Sequence, residues 1–124
     1  MSDLEIEKEI REKGLIAPRI TPEHIEGVIT SEHYFTAYDG RAGALTTETY
    51  VGREKPTEND LLPLKLLTFC VFVLKNGFTV TGESACASVE NFDAEIGRKI
   101  ARQNAVNKVW MLEGYLLKQK LSEK

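Results

Sequence analysis

Arg98 and Arg102 stand four residues apart with Lys99 beside the first, and no other spacing in the chain suggests as much chemistry. Residues four apart share one face of a helix. Two guanidiniums on one face present forked N–H donors that can grip a phosphate or carboxylate through paired hydrogen bonds. On that reading Arg98, Lys99 and Arg102 form a site for a small anionic, nucleotide-like ligand. The plainer reading is a solvated helix face on which Glu95 pairs with Lys99 at the same spacing. No glycine-rich phosphate loop accompanies the arginines, because Gly77, Gly82 and Gly97 are accounted for by a turn, a strand and helix packing.

Carboxylates offer a second chemistry. Glu83, Asp93 and Glu95 converge if a strand ending near residue 84 meets a helix starting near residue 91, and paired carboxylates can move protons. Asp93 and Glu95 equally suit the positive end of a helix dipole, and Glu83 a solvated strand end. Thr79, Thr81 and Glu83 alternate and share one face, which makes them a possible pocket wall. His24, His33, Cys70 and Cys86 lack metal-ligand spacing, so no metal or other cofactor is expected. Cys86, just ahead of a helix N-terminus, has the setting that lowers a thiol pKa, but no histidine base stands beside it in sequence. Two cysteines make no disulfide framework, so both read as buried and reduced, with a lone pairing of the two as the alternative.

These residues must be positioned by Leu66–Ser84, which reads as a β-hairpin. Asn76-Gly77 separates two runs rich in β-branched and aromatic residues, the signature of a two-residue type I′ turn with positive φ at both positions. That turn pairs Val73 with Val80, Val71 with Gly82 and Phe72 with Thr81. The first strand is apolar on both sides, so it should be central and covered on both faces. Glu32–Tyr38 has strand composition and ends at the turn signal Asp39-Gly40. Ala44–Val51 is Thr-rich and fits an edge strand, and 55–60 a polar loop; residues 39–63 are the least determined.

Two short helices are expected ahead of the sheet. One covers residues 3–13, with Leu4, Ile6 and Ile10 as its apolar residues and Gly14 past its end. It either frays or docks. The other opens at Thr21-Pro22, with Thr21 as cap and Pro22 in the first turn, and carries Ile25, Val28 and Ile29. A long C-terminal helix begins near Asn91 as N-cap. Its stripe Phe92, Ile96, Ile100 is out of phase with the stripe Ala105, Val109, Leu112, Leu116, so the helix either touches two partners or bends near 111–114. Val109, Trp110, Leu112 and Leu116 are broad enough together to serve a homo-oligomer interface. The fold class is thus α+β: a small antiparallel sheet built on the hairpin, a C-terminal helix packed on it, and short N-terminal helices. One domain is expected over residues 1–124, with 1–30 as a helical extension.

A net charge of −3 argues against a general nucleic-acid binder. The charge is uneven: residues 1–62 hold 13 acids and 7 bases, residues 63–124 hold 6 acids and 9 bases. There is no signal-peptide pattern and no apolar run of the ~20 residues that cross a bilayer. A cytoplasmic setting without membrane attachment is the expectation.

The run Leu67-Thr68-Phe69-Cys70, then Lys75–Cys86, then Asn91–Arg98, then Lys108, Trp110 and Leu112-Glu113-Gly114-Tyr115, resembles one family. It comprises small tailed-phage and prophage proteins of unknown function, named after a phage N-four and a phage Sf-six protein (gp forty-nine-like). The similarity is close over residues 66–118. It implies a phage or prophage origin, hence the host bacterial cytoplasm, and supplies no catalytic residues. The function expected is a non-enzymatic accessory protein that acts by binding, as a homo-oligomer or on a host protein. The alternatives are sequestration or sensing of a small anionic ligand through Arg98 and Arg102, for example in countering host defence, and a small enzyme using Glu83 or Asp93.

Overall fold

Two strands of alternating burial set the frame of the computed structural model, which describes residues 2–47 and 54–124. β2 is Leu67–Leu74 and β3 is Thr79–Ala85. Thr68, Cys70, Phe72 and Leu74 are buried on one face of β2, while Phe69, Val71 and Val73 on the other are half-buried. β1, Ile29–Thr36, pairs antiparallel with β2, giving a three-stranded sheet of order β1-β2-β3. A C-terminal helix packs on this sheet and short helices precede it, so the architecture is the expected α+β. β2 is central as expected but is fully covered on one face only.

The hairpin departs from expectation by one residue. Phe72 pairs with Val80 and Val73 with Thr79. Leu74 N–H donates to the Phe78 carbonyl and Gly77 N–H to the Leu74 carbonyl, both at 2.8 Å. The loop is therefore three residues, Lys75-Asn76-Gly77. Gly77 has φ of +88°, and no non-glycine residue among those described has positive φ. This is the turn that ends in a left-handed glycine bulge rather than type I′. Asn76 Oδ1 accepts from the Phe78 N–H at 2.9 Å, a side-chain bond that holds the longer loop. A one-residue slip exchanges the faces of a strand. Val80 and Gly82 thus lie with Phe72 and Cys70 beneath the helix, and Thr79, Thr81 and Glu83 lie with Val73, Val71 and Phe69.

The C-terminal helix, called α5 below, is continuous over Ala94–Ser122. Asp93 is its N-cap, accepting from the Ile96 N–H at 3.0 Å. Asn91, the expected cap, instead closes a short 3-10 turn over Val89–Asn91. The helix is unbroken through 111–114. Its buried residues are Gly97, Ala101, Ala105, Val106 and Val109, and Ile96 and Ile100 of the first expected stripe face outward. The reason lies in β3. A Cβ added at Gly82 would sit 2.1 Å from the Ala101 carbonyl oxygen and 2.3 Å from the Ala105 nitrogen. The helix backbone rests directly on the strand backbone, and only its smallest residues fit at that crossing.

Before the sheet, α1 is Asp3–Glu12 and α2 is Pro22–Val28. Ser2 and Glu5 form a capping box on α1, and Gly14 follows it at φ +68°. Thr21 caps α2, and Ile25 of α2 enters the core. β1 begins at Ile29 rather than Glu32 and ends at Thr36. Asp39-Gly40 is no turn, because α3 occupies Ala37–Leu45 with Thr36 Oγ1 accepting from the Asp39 N–H. Thr57 and Asp60 cap α4, Glu58–Leu61, in the same way within the expected polar loop. Of the expected edge strand at 44–51, Ala44 and Leu45 end α3 and Thr46-Thr47 form a turn; the rest lies outside the described residues.

Candidate functional site

α5 is longer than the sheet that carries it. Twenty-nine residues at 1.5 Å each span about 43 Å, whereas the eight residues of β2 span about 27 Å. Val109 is the last buried residue of the helix. Beyond it Leu112 and Leu116, three and seven residues past Val109, carry the apolar side of the helix onward, and they are 43% and 48% exposed. Met111, Tyr115 and Phe78 at the hairpin tip are exposed beside them. Phe78 and Leu112 divide two clefts. One, of about 480 Å³, runs from Val28 and Leu74 to Leu116. The other, of about 380 Å³, lies along the edge of β3 between Thr79, Thr81, Lys108 and Met111.

The sequence-derived interface residues separate here. Val109 is fully buried in the core of its own chain. Trp110 is half-buried, with its indole N–H donating to Asp3 Oδ2 at 3.1 Å. Leu112 and Leu116 remain on the surface. Phe78, Met111 and Tyr115 join them unforeseen; the signal available was that the helix pattern outlasts the length of any strand in the chain. The Thr79–Thr81–Glu83 face is also divided. Thr79 and Thr81 line the smaller cleft, whereas Glu83 accepts from the Thr81 hydroxyl at 2.9 Å and pairs with Lys108 at 3.7 Å. Asn104 reaches the Glu83 carbonyl from α5 at 2.7 Å.

Of the arginine cluster, Arg102 is held by carboxylates of its own chain. Arg102 turns toward the sheet: its Nη2 donates to Glu26 at 2.6 Å and its Nε to Glu32 at 2.9 Å. Its guanidinium lies over the Phe72 ring, 5.5 Å from the centroid. Arg102 in turn holds the Glu32 carboxyl below the usual range, and Tyr34 donates to the same carboxylate at 2.6 Å. Burial, then that bond, push the Tyr34 hydroxyl pKa up. Lys99 pairs with Glu95 at 3.3 Å, the solvated-face arrangement. Arg98 is exposed. The group thus links α2, β1 and α5, with Arg102 already satisfied by carboxylates of its own chain.

The remaining chemistry-bearing residues have structural partners. Asp93 caps α5. His24 faces Glu113 at 3.4 Å, and His33 Nε2 meets Ser31 Oγ at 3.0 Å. Cys70 is fully buried, with its thiol pKa raised by that burial, and Cys86 Sγ donates to the Ser88 carbonyl. Both cysteines are free. Among the described residues no cluster of His, Cys, Asp and Glu has metal-binding geometry, and no helix is long and apolar enough to cross a membrane.

No curated protein and no solved structure matches the chain. A family model does, over residues 20–121, which takes in α2, the sheet and nearly all of α5. The segment that resembled small phage proteins is therefore part of a match covering most of the chain, and the chain belongs to the phage protein (N4 Gp49/phage Sf6 gene 66) family.

Proposed function

We propose that this phage accessory protein acts by binding rather than catalysis, and that the overhanging end of α5 binds a second copy of the chain. The observation that carries this reading is the apolar stripe of α5 continuing uncovered past Val109. A large exposed apolar patch marks an interaction surface more often than chance exposure does. Charge favours a copy as the occupant. Lys108 and Glu123 bracket the patch, fifteen residues apart on nearly one helix face. In an antiparallel pair of α5 ends, Lys108 of each copy exchanges its 3.7 Å pair with Glu83 for Glu123 of the other, with Leu112, Tyr115 and Leu116 between them. Such an isologous contact closes as a dimer. A standard interface needs about 800 Å² from each partner, for which the hairpin tip at Phe78 extends the helix face.

Sedimentation at tens of micromolar tests this. The expected mass is twice the 13.9 kDa of one chain. Leu116→Glu buries a charge at the centre of the contact and should yield a folded monomer. A monomeric parent overturns the reading, as does a Leu116→Glu variant that stays dimeric.

A further inference from the structure

α1 is attached to the rest of the chain in an unusual manner. Its one buried residue is the charged Glu7, and it contributes no apolar side chain to the core. Leu4 is 74% exposed and Ile6 is 42% exposed. A gap of about 350 Å³ separates Asp3, Ile6 and Ile10 of the helix from Ile20, Pro22 and Trp110 beneath it. Unfilled space forfeits dispersion contacts on both walls. What holds α1 is polar: the Trp110 indole N–H on Asp3, and Arg19 gripping Glu7 through both of its terminal nitrogens, with Arg11 beside them. The groove walls at Ile20, Pro22 and Trp110 lie within the family-matched region, and α1 lies before it.

We propose that α1 is a placeholder, and that the groove centred on Trp110 is a docking site for an acidic amphipathic helix of a partner protein that displaces it. The chemistry of the partner follows from that of the placeholder. The indole N–H asks for a carboxylate in the first turn, Arg19 asks for a second carboxylate one turn later, and the groove walls ask for aliphatic residues at i, i+4, as Ile6 and Ile10 provide. This is helix-in-groove recognition, with the resident helix competing at the high effective concentration of a tethered segment.

The probe is a synthetic peptide of residues 2–14, and the reporter is Trp110, the only tryptophan in the chain. In the full-length Asp3→Ala/Glu7→Ala variant, Trp110 emission should move to the red of the parent, and added peptide should reverse the shift saturably. The parent should bind the peptide at least tenfold more weakly, because its own α1 occupies the groove. A peptide with Asn and Gln in place of the two acids should not bind. The proposal is overturned if the variant emits like the parent, if the peptide binds neither chain or both equally, or if the neutral peptide binds as well as the acidic one. A variant that fails to fold also overturns it, since α1 would then be part of the fold and not a placeholder.

Discussion

Gly82→Ala adds one methyl group where α5 crosses β3. The new Cβ would meet the Ala101 carbonyl oxygen at 2.1 Å, the Ala105 nitrogen at 2.3 Å and the Ala105 Cα at 2.9 Å. All three are backbone atoms, so no side-chain rotation relieves the clash. The helix must lift by about 1 Å, enough to lose a quarter to a half of each dispersion contact across the crossing. Phe72, Val80, Ala101 and Ala105 all lie in that cluster. Overpacking typically costs about 1–3 kcal/mol, and displacement of a whole helix places this case at the upper end, offset slightly by alanine's lower entropy loss. At about 2.1 cal/mol/K per residue, 124 residues carry an unfolding entropy of roughly 0.26 kcal/mol/K, so ~3 kcal/mol lowers Tm by about 11 °C. Thermal and urea unfolding followed by circular dichroism read this directly. Gly43→Ala on α3, where an added Cβ meets nothing within 4 Å, is the control and should be neutral or stabilising by up to ~1 kcal/mol. A Gly82→Ala variant within ~1 kcal/mol of the parent would refute the claim that this crossing sets the helix position.

Three further substitutions test separate parts of the structure. Thr68 is buried and its Oγ1 has no hydrogen-bond partner, so Thr68→Val should raise the urea midpoint, stabilising by about 1 kcal/mol; a lower midpoint would mean that the hydroxyl is bonded after all. Gly77→Val forces a β-branched residue to φ +88° and should cost about 1–3 kcal/mol, whereas a loss under about 0.5 kcal/mol, the ordinary surface scale, would exclude the left-handed turn. Arg19, with Arg11, holds the Glu7 carboxyl down to about 2 from 4.5, against the upward pull of burial. The folded state thus releases this proton more readily than the unfolded one, and the stabilisation is present above about pH 4.5 and lost as pH falls toward 2. Trp110 emission in the parent should report α1 loosening across that window, and Glu7→Gln should abolish the step; an identical acid profile in both chains would show that the clamp does not hold α1.

The fold was legible where side-chain pattern and burial agree. β2 is a β-branched and aromatic run that ends at a turn signal, Thr21-Pro22 states a helix start, and both survive in the structure. The misreadings have local causes. Asn-Gly specifies a hairpin but not its loop length, and the Asn76 side-chain bond to Phe78 selects the three-residue form. Thr36 and Thr57 each precede an aspartate by three residues, a capping pattern that outweighs the turn signal at Asp39-Gly40 and the polar run at 55–60. The helix faces the sheet with Gly97 and Ala101 and not with the more apolar Ile96 and Ile100, because only small residues fit there: Ala101 and Ala105 lie against Gly82, and a Cβ at Gly97 would meet Thr68 Oγ1 at 3.1 Å. In the candidate site, Leu112 and Leu116 followed from periodicity, but the role of Phe78 required knowing where the hairpin tip lies. The salt links of Arg102 to Glu26 and Glu32 join residues at least 70 apart in sequence, which no local pattern encodes.

That Arg102 linkage has a bearing on the order in which the chain assembles. The loop between β2 and β3 is three residues, and eight residues, 86–93, join β3 to α5, so this half closes small loops. β1 must find β2 across about thirty residues, and closing the longer loop costs roughly 2 kcal/mol more in chain entropy. The hairpin and α5 are then the early nucleus, and α2 with β1 arrives late, as one unit. Arg102, already positioned on α5 over the Phe72 ring, waits as the catch for that arrival, binding Glu26 of α2 and Glu32 of β1 together. By the same reasoning α2 and β1 are the first to leave when the native state opens partially, and the catch releases both at once.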